Sequence, residues 1–123
     1  VSAFSSLSLD PPLVLACIAN DATMAPLLSR CSSFTVNVLS SQQEALSRRF
    51  AGPLDDRFAG VGYQAGELGN PVLDDVLAWL ECRLIARHPA GDHTIMVGQV
   101  EQAGARDGRP LLYYRGGYAQ LER

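Results

Sequence analysis

Leu77-Ala78-Trp79-Leu80-Glu81-Cys82-Arg83-Leu84-Ile85-Ala86-Arg87 decides the fold. Strict alternation puts Leu80, Cys82, Leu84 and Ala86 on one face of a strand, and Trp79, Glu81, Arg83 and Ile85 on the other. His88-Pro89-Ala90-Gly91-Asp92 reads as a hairpin loop, with His93 to Ala103 as the return strand. Asp107-Gly108 turns the chain again, and Pro110 to Tyr114 reads as a last strand.

Towards the N-terminus, Val1 to Leu9 alternates weakly and stops at Asp10-Pro11-Pro12. Leu13 to Ile18 is a continuous apolar run of strand length, the pattern of a fully buried strand. Asn20, Asp21 and Thr23 are N-cap types and Pro26 suits a first helical turn, so a short helix through Ser29–Cys31 is expected. Phe34 to Leu39 is rich in β-branched residues and makes a strand. Ser41 with Glu44 is a capping-box pattern for a helix over Gln42–Phe50, stopped by Gly52-Pro53. Residues 53–76 read as a covering loop with one short strand near Val61–Tyr63. Strands dominate, two short helices are inserted early, and no G-x-G-x-x-G turn occurs. The chain is therefore read as a mainly β, antiparallel barrel in a single domain, residues 1–123.

Hydrophobic residues make up 47% of the 123 and charged residues 19%, ordinary values for a globular domain with its own core. Net charge is −3 without a basic stripe, which argues against nucleic acid; no apolar run reaches membrane-spanning length. All ten basic residues are Arg. Cys17, Cys31 and Cys82 form no CxxC, which fits reduced thiols in the cytoplasm, and the two His have no metal-ligand spacing. The chain begins at Val1 in mid-pattern, so an N-terminal segment is expected to precede it.

Several stretches offer chemistry, each beside a plainer reading. Ser2, Ala3, Phe4, Ser5, Ser6 and Ser8 suit a wall of small side chains and free backbone groups against a flat ring; a hydrated edge strand has the same composition. Ala19, Asn20, Asp21 and Thr23 join a strand end to a helix start, where an anion or ordinary capping is served equally. Arg48 and Arg49 complement a helix C-terminus, and Phe50 matches core spacing from Leu46. His93 suits either a loop edge or a proton-handling and amide-binding role. Tyr113, Tyr114, Arg115 and Gly116 suit a terminal strand or a clamp on a flat anionic ligand.

In order, Ser2-Ala3-Phe4-Ser5-Ser6-Leu7-Ser8-Leu9-Asp10-Pro11-Pro12-Leu13, Phe34-Thr35-Val36-Asn37-Val38-Leu39, Arg49-Phe50-Ala51-Gly52, Asp56-Arg57-Phe58-Ala59-Gly60 and Gly69-Asn70-Pro71-Val72-Leu73 carry a resemblance. It continues through Leu77-Ala78-Trp79-Leu80-Glu81-Cys82, Gly91-Asp92-His93 and Pro110-Leu111-Leu112-Tyr113-Tyr114-Arg115-Gly116. Nearly the whole chain resembles the flavin reductases, the short-chain NAD(P)H:flavin oxidoreductases of two-component monooxygenases. The resemblance implies an FMN-binding split barrel, an antiparallel Greek-key barrel with short helical insertions, whose N-terminal helix and first strands precede Val1. It implies a homodimer using FMN or FAD, NADH or NADPH as hydride donor, and a separate flavin-dependent monooxygenase as partner. By position, Ser2, Ala3, Phe4, Ser5 and Ser6 line the isoalloxazine; Ala19, Asn20, Asp21 and Thr23 surround the ribityl phosphate, with Arg49 and Phe50 on its far side. His93, the one catalytic candidate, bounds the nicotinamide with Tyr113, Tyr114, Arg115 and Gly116. Asn20-Asp21-Ala22 stands where members commonly carry a basic or hydroxyl residue. A non-catalytic flavin carrier or sensor on the same barrel is the rival reading, and a pyridoxamine-phosphate oxidase ranks below it for want of basic residues.

Overall fold

The computed structural model describes residues 3–52 and 56–122. Its elements are β1 (Phe4–Leu9), β2 (Pro12–Ala19), α1 (Ala25–Leu28), β3 (Ser33–Val38), α2 (Glu44–Ala51), β4 (Tyr63–Ala65), β5 (Pro71–Leu73), β6 (Ala78–Ala90), β7 (His93–Ala105), β8 (Leu112–Tyr114) and β9 (Gly117–Ala119). Five strands form one antiparallel sheet in the order β1-β2-β7-β6-β3. The β4–β5 and β8–β9 pairs are separate two-stranded ribbons.

The β6–β7 hairpin is the spine, with 13 residues in each strand. Its turn is Gly91-Asp92, with Gly91 at φ 63°, so only the first central residue needs the left-handed region, as in a type II′ turn. The tip lies between Ala90 and His93, and the base between Ala78 and Ala105. At about 3.3 Å per residue the two ends are roughly 40 Å apart along the strand.

Two bulges modify the alternation read from sequence. Glu101 is the extra residue between the Glu81–Gln102 and Cys82–Val100 pairs, and Ile85 the extra residue between Leu84–Gly98 and Ala86–Val97. Beyond Ile85 the faces exchange. Ala86 leaves the face it was expected to share with Leu84, and Arg87 joins it opposite Met96. That face carries the core cluster of Ala16, Ile18 and Met96, covered by Ala22, Ala25, Leu28, Cys31, Phe34 and Leu84. Gly98 is required here, since a Cβ at this position stands 2.6 Å from Phe34 Cζ and 2.8 Å from Cys82 Cβ. On the other face the β4–β5 lobe covers Glu81, so Glu81 and Cys82 are both fully buried although they point opposite ways.

Both helix starts differ from expectation. Met24 is the N-cap of the single-turn α1 and makes no side-chain cap, so neither Asp21 nor Thr23 caps it. Gln43, not Ser41, precedes α2; its Oε1 accepts from the Ser40 N–H at 2.9 Å and its Nε2 donates to the Asp74 carbonyl at 2.9 Å. The last strand is a hairpin, Leu112–Tyr114 against Gly117–Ala119, tied to the sheet by the Ser40–Pro110 bridge. The short strand expected near Val61–Tyr63 begins at Tyr63.

Candidate functional site

At the hairpin tip, Ala19 is the cross-strand partner of His93. Asp92 Oδ1 lies 2.7 Å from His93 Nδ1. The hydrogen bond and the imidazole charge hold the Asp92 carboxyl below its ordinary range. With Asp92 ionised, Nδ1 is the donor of this bond, so whenever the ring is neutral its Nε2 is the acceptor. Asn20 fastens the turn: its N–H donates to the Asp92 carbonyl at 2.9 Å and its Nδ2 to the Gly91 carbonyl at 3.3 Å. Thr94 Oγ1 donates to Asn20 Oδ1 at 2.9 Å. Asp21 and Thr23 are exposed in the loop before α1. A cleft of about 410 Å³ opens between α1 and the tip, with Asn20, Ser29, Arg87 and Thr94 on its rim.

Ser2 lies outside the described residues. Ala3 accepts from the Cys17 N–H at 2.9 Å, and Phe4, Ser5 and Ser6 begin β1 opposite Ala16, Leu15 and Val14. β1 is the sheet's end strand, so its outer N–H and C=O groups pair with no strand among the described residues.

Arg49 and Phe50 sit on α2, and both are occupied by the segment after the helix. Arg49 Nε donates to the Arg57 carbonyl at 2.7 Å, and its Nη2 to the carbonyls of Ala59 at 2.5 Å and Asp56 at 3.4 Å. Phe50 meets Phe58 edge-on at 5.0 Å, and Phe58 meets Tyr63 at 5.2 Å. The far side of α2 receives β8–β9: Ser47 Oγ lies 2.9 Å from Tyr118 Oη, and Arg48 stacks over the Tyr118 ring at 4.7 Å. Tyr113 packs edge-on against Tyr118 at 5.3 Å, while Tyr114 is 71% exposed. Arg115 and Gly116 form the turn at φ 53° and 79°.

Two clusters result. Ala19, Asn20 and His93 converge at the tip of the spine. Tyr113, Tyr114, Arg115 and Gly116 hang from its base beside α2. Among the described residues no hydrogen bond or ring contact joins His93 to the Tyr113–Gly116 turn, which is tied to the sheet at its base through Ser40–Pro110 while His93 sits at the tip.

Sequence reasoning passed over Glu81, Arg87, Thr94 and Tyr118. Glu81 accepts from the N–H groups of Leu68 and Asn70 and from Asn70 Nδ2, each at 3.1 Å. Burial alone raises its pKa, but these donors and the Glu67 N–H outweigh burial and hold the carboxyl below its ordinary range. Gly66 has no room for a Cβ against this carboxylate. Only the Glu81 position in an apolar strand hinted at it. Arg87 was hidden by the Ile85 bulge. Burial, helped by Glu81 and Glu101, pushes the Cys82 thiol up to about 11, so it is an inert core residue. No metal-ligating cluster occurs among the described residues.

A family model described as "flavin reductase like domain" matches residues 1–122. The chain belongs to this family. A flavin reductase from Pseudomonas putida is 40% identical over 119 residues, covering 96% of this chain and 70% of the relative. The reductase subunit of a flavin-dependent monooxygenase from Mycobacterium tuberculosis is 38% identical over 122 residues, covering 97% of this chain and 65% of the subunit. An NADH:FAD oxidoreductase from Streptomyces globisporus, solved with NAD and FAD fragments, is 37% identical with a TM-score of 0.91, over 96% of this chain and 73% of that one. The family's split-barrel fold is therefore the fold of this chain, mainly β and antiparallel.

Proposed function

We propose that this flavin reductase-like chain transfers a hydride from NADH or NADPH to FMN or FAD and supplies reduced flavin to a separate monooxygenase. The observation that carries the reading is the family match along nearly the whole chain, joined to relatives named as NADH-dependent reductases and monooxygenase reductase subunits. Residues 1–123 act as one flavin reductase-like domain, which works in the cytoplasm; three unpaired cysteines support that compartment.

The residues fit a flavin. β1 carries small serine side chains along a strand whose outer backbone groups pair with no strand among the described residues, suited to the carbonyl and N–H edge of an isoalloxazine. When bound, the flavin and nicotinamide supply the hydride chemistry between C4 and N5. The chain positions and encloses them. Asp92 orients the His93 ring so that Nε2 accepts, suited to the nicotinamide amide N–H. Asn20 and Thr94 hold the tip rigid behind that ring. Arg49, Phe50 and Phe58 keep the segment after α2 folded onto the helix.

We also infer a homodimer. His93 and Arg115 belong to opposite ends of the spine, and a nicotinamide site using both draws one from each of two chains. Anaerobic stopped-flow with each pairing of NADH or NADPH with FMN or FAD tests the activity. Loss of flavin absorbance with at least one pair is expected, and no reduction with any pair overturns it.

A further inference from the structure

The turn that carries His93 has little packing of its own. Gly91 and Asp92 are exposed, and the Asp92 side chain is 95% exposed. Exposed tips of small and polar residues open at low cost. The bond between Asp92 Oδ1 and His93 Nδ1 therefore depends on how firmly the backbone is held on both sides of His93.

Asn20 supplies that hold. It follows Ala19, the last residue of β2 and the cross-strand partner of His93. Its N–H donates to the Asp92 carbonyl at 2.9 Å, one residue before His93. Its Nδ2 donates to the Gly91 carbonyl at 3.3 Å, two residues before. Its Oδ1 accepts from Thr94 Oγ1 at 2.9 Å, one residue after. A single residue thus brackets the imidazole. The Gly91 carbonyl can only accept, which fixes the amide with nitrogen towards Gly91 and oxygen towards Thr94. The position needs a donor and an acceptor on one short planar group. Aspartate has no donor to give, and arginine and lysine have no acceptor.

We infer that Asn20 is a positioning residue for His93 rather than a ligand of the flavin phosphate: its amide, set between Gly91 and Thr94, holds the turn in which Asp92 orients the ring. What the ring then meets, the nicotinamide amide, rests on the flavin reductase reading. What holds the ring rests on the hydrogen bonds alone.

Two variants test it, Thr94→Val, which removes one of these hydrogen bonds, and Asn20→Ala, which removes two. Each is made alone and together with His93→Ala. The KM for NADH at saturating FMN is expected to rise about fivefold for Thr94→Val, the worth of one neutral hydrogen bond, and further for Asn20→Ala. The kcat changes little, because a bond to the carboxamide is made in ground and transition states alike. FMN affinity, read by fluorescence titration, stays within about twofold of wild type, as expected of a group that does not touch the flavin. In the His93→Ala background neither substitution raises the KM again, because both act through the ring. An unchanged KM, effects that add to that of His93→Ala, or FMN affinity lost in step with NADH overturns the inference. Long-range proton–nitrogen NMR of the ring at about pH 9, where an imidazole is neutral, reads the tautomer without turnover. The wild-type ring is expected to keep its proton on Nδ1, and the Nε2–H form to grow in both variants; His93→Ala assigns the signals between the chain's two histidines. Wild-type ring signals in both variants overturn the inference. A protein that shows the tautomer change but reduces no flavin refutes the activity alone. If Asn20→Ala does not fold, Thr94→Val decides.

Discussion

Glu81 is a carboxylate without water contact, satisfied entirely by the β4–β5 lobe. Its donors favour the ionised form, so its folded pKa lies below the unfolded one. By linkage, this contribution is complete above the ordinary carboxylate value of about 4.3 and is lost as pH falls through the folded value. Glu81→Gln turns one acceptor into a donor facing donors and is expected to cost about 2 kcal/mol in urea unfolding near neutral pH. Below about pH 5, wild type should lose stability more steeply than the variant; parallel profiles refute the role. Arg49 acts in the same structural manner. Its three carbonyl contacts pin residues 56–59, so Arg49→Ala should speed proteolytic cleavage in that segment before the sheet unfolds. An unchanged cleavage pattern, with FMN affinity lost, assigns Arg49 to the flavin instead. Residue types alone did not reveal either partner set, because most of the partners are backbone groups, the carbonyls of Asp56, Arg57 and Ala59 and the N–H groups of Leu68 and Asn70, and where these point depends on how the intervening loop folds.

At the scale of elements, alternation and apolar runs were enough to read β2, β6 and β7. Leu13 to Ile18 forms the strand its apolar run predicts, although only Val14, Ala16 and Ile18 are buried, and the return strand starts at His93 as expected; the expected loop His88–Asp92 shrinks to Gly91-Asp92, because β6 stays paired to Ala90. The bulge at Ile85 was not readable, since it depends on which β7 residue each β6 residue meets. It sends Arg87 to the α1 face, and with it goes the rim of the cleft. Asn20 is a capping type that found a tertiary partner: it bonds the hairpin turn rather than α1. The Arg115-Gly116 turn has both central residues at positive φ, the pattern of a type I′ hairpin, where Asn-Gly is preferred. Arginine in that conformation costs about 1–2 kcal/mol, so Arg115→Asn should gain roughly 0.5–1 kcal/mol. If the guanidinium serves the nicotinamide nucleotide, the same variant raises the KM for NADH. A higher melting temperature with unchanged KM leaves Arg115 without that role.

For the whole molecule, the β6–β7 spine separates two groups of residues that a single ligand is expected to join. His93 is fixed at the tip by Ala19 and Asp92, whereas Arg115 is carried at the base through the Ser40–Pro110 bridge and the Tyr118 contacts with α2. A second copy related by a twofold axis can set the base of one chain against the tip of the other, because an isologous interface repeats each contact. Mixed dimers distinguish this from a site within one chain. His93→Ala and Arg115→Ala chains, each impaired alone, should complement when unfolded together and refolded. A mixed dimer then holds one site with both residues native and one with neither. Random pairing makes half the dimers mixed, so roughly one quarter of wild-type activity returns. A site built within one chain predicts no recovery above the two parents, because every site then carries one of the two substitutions.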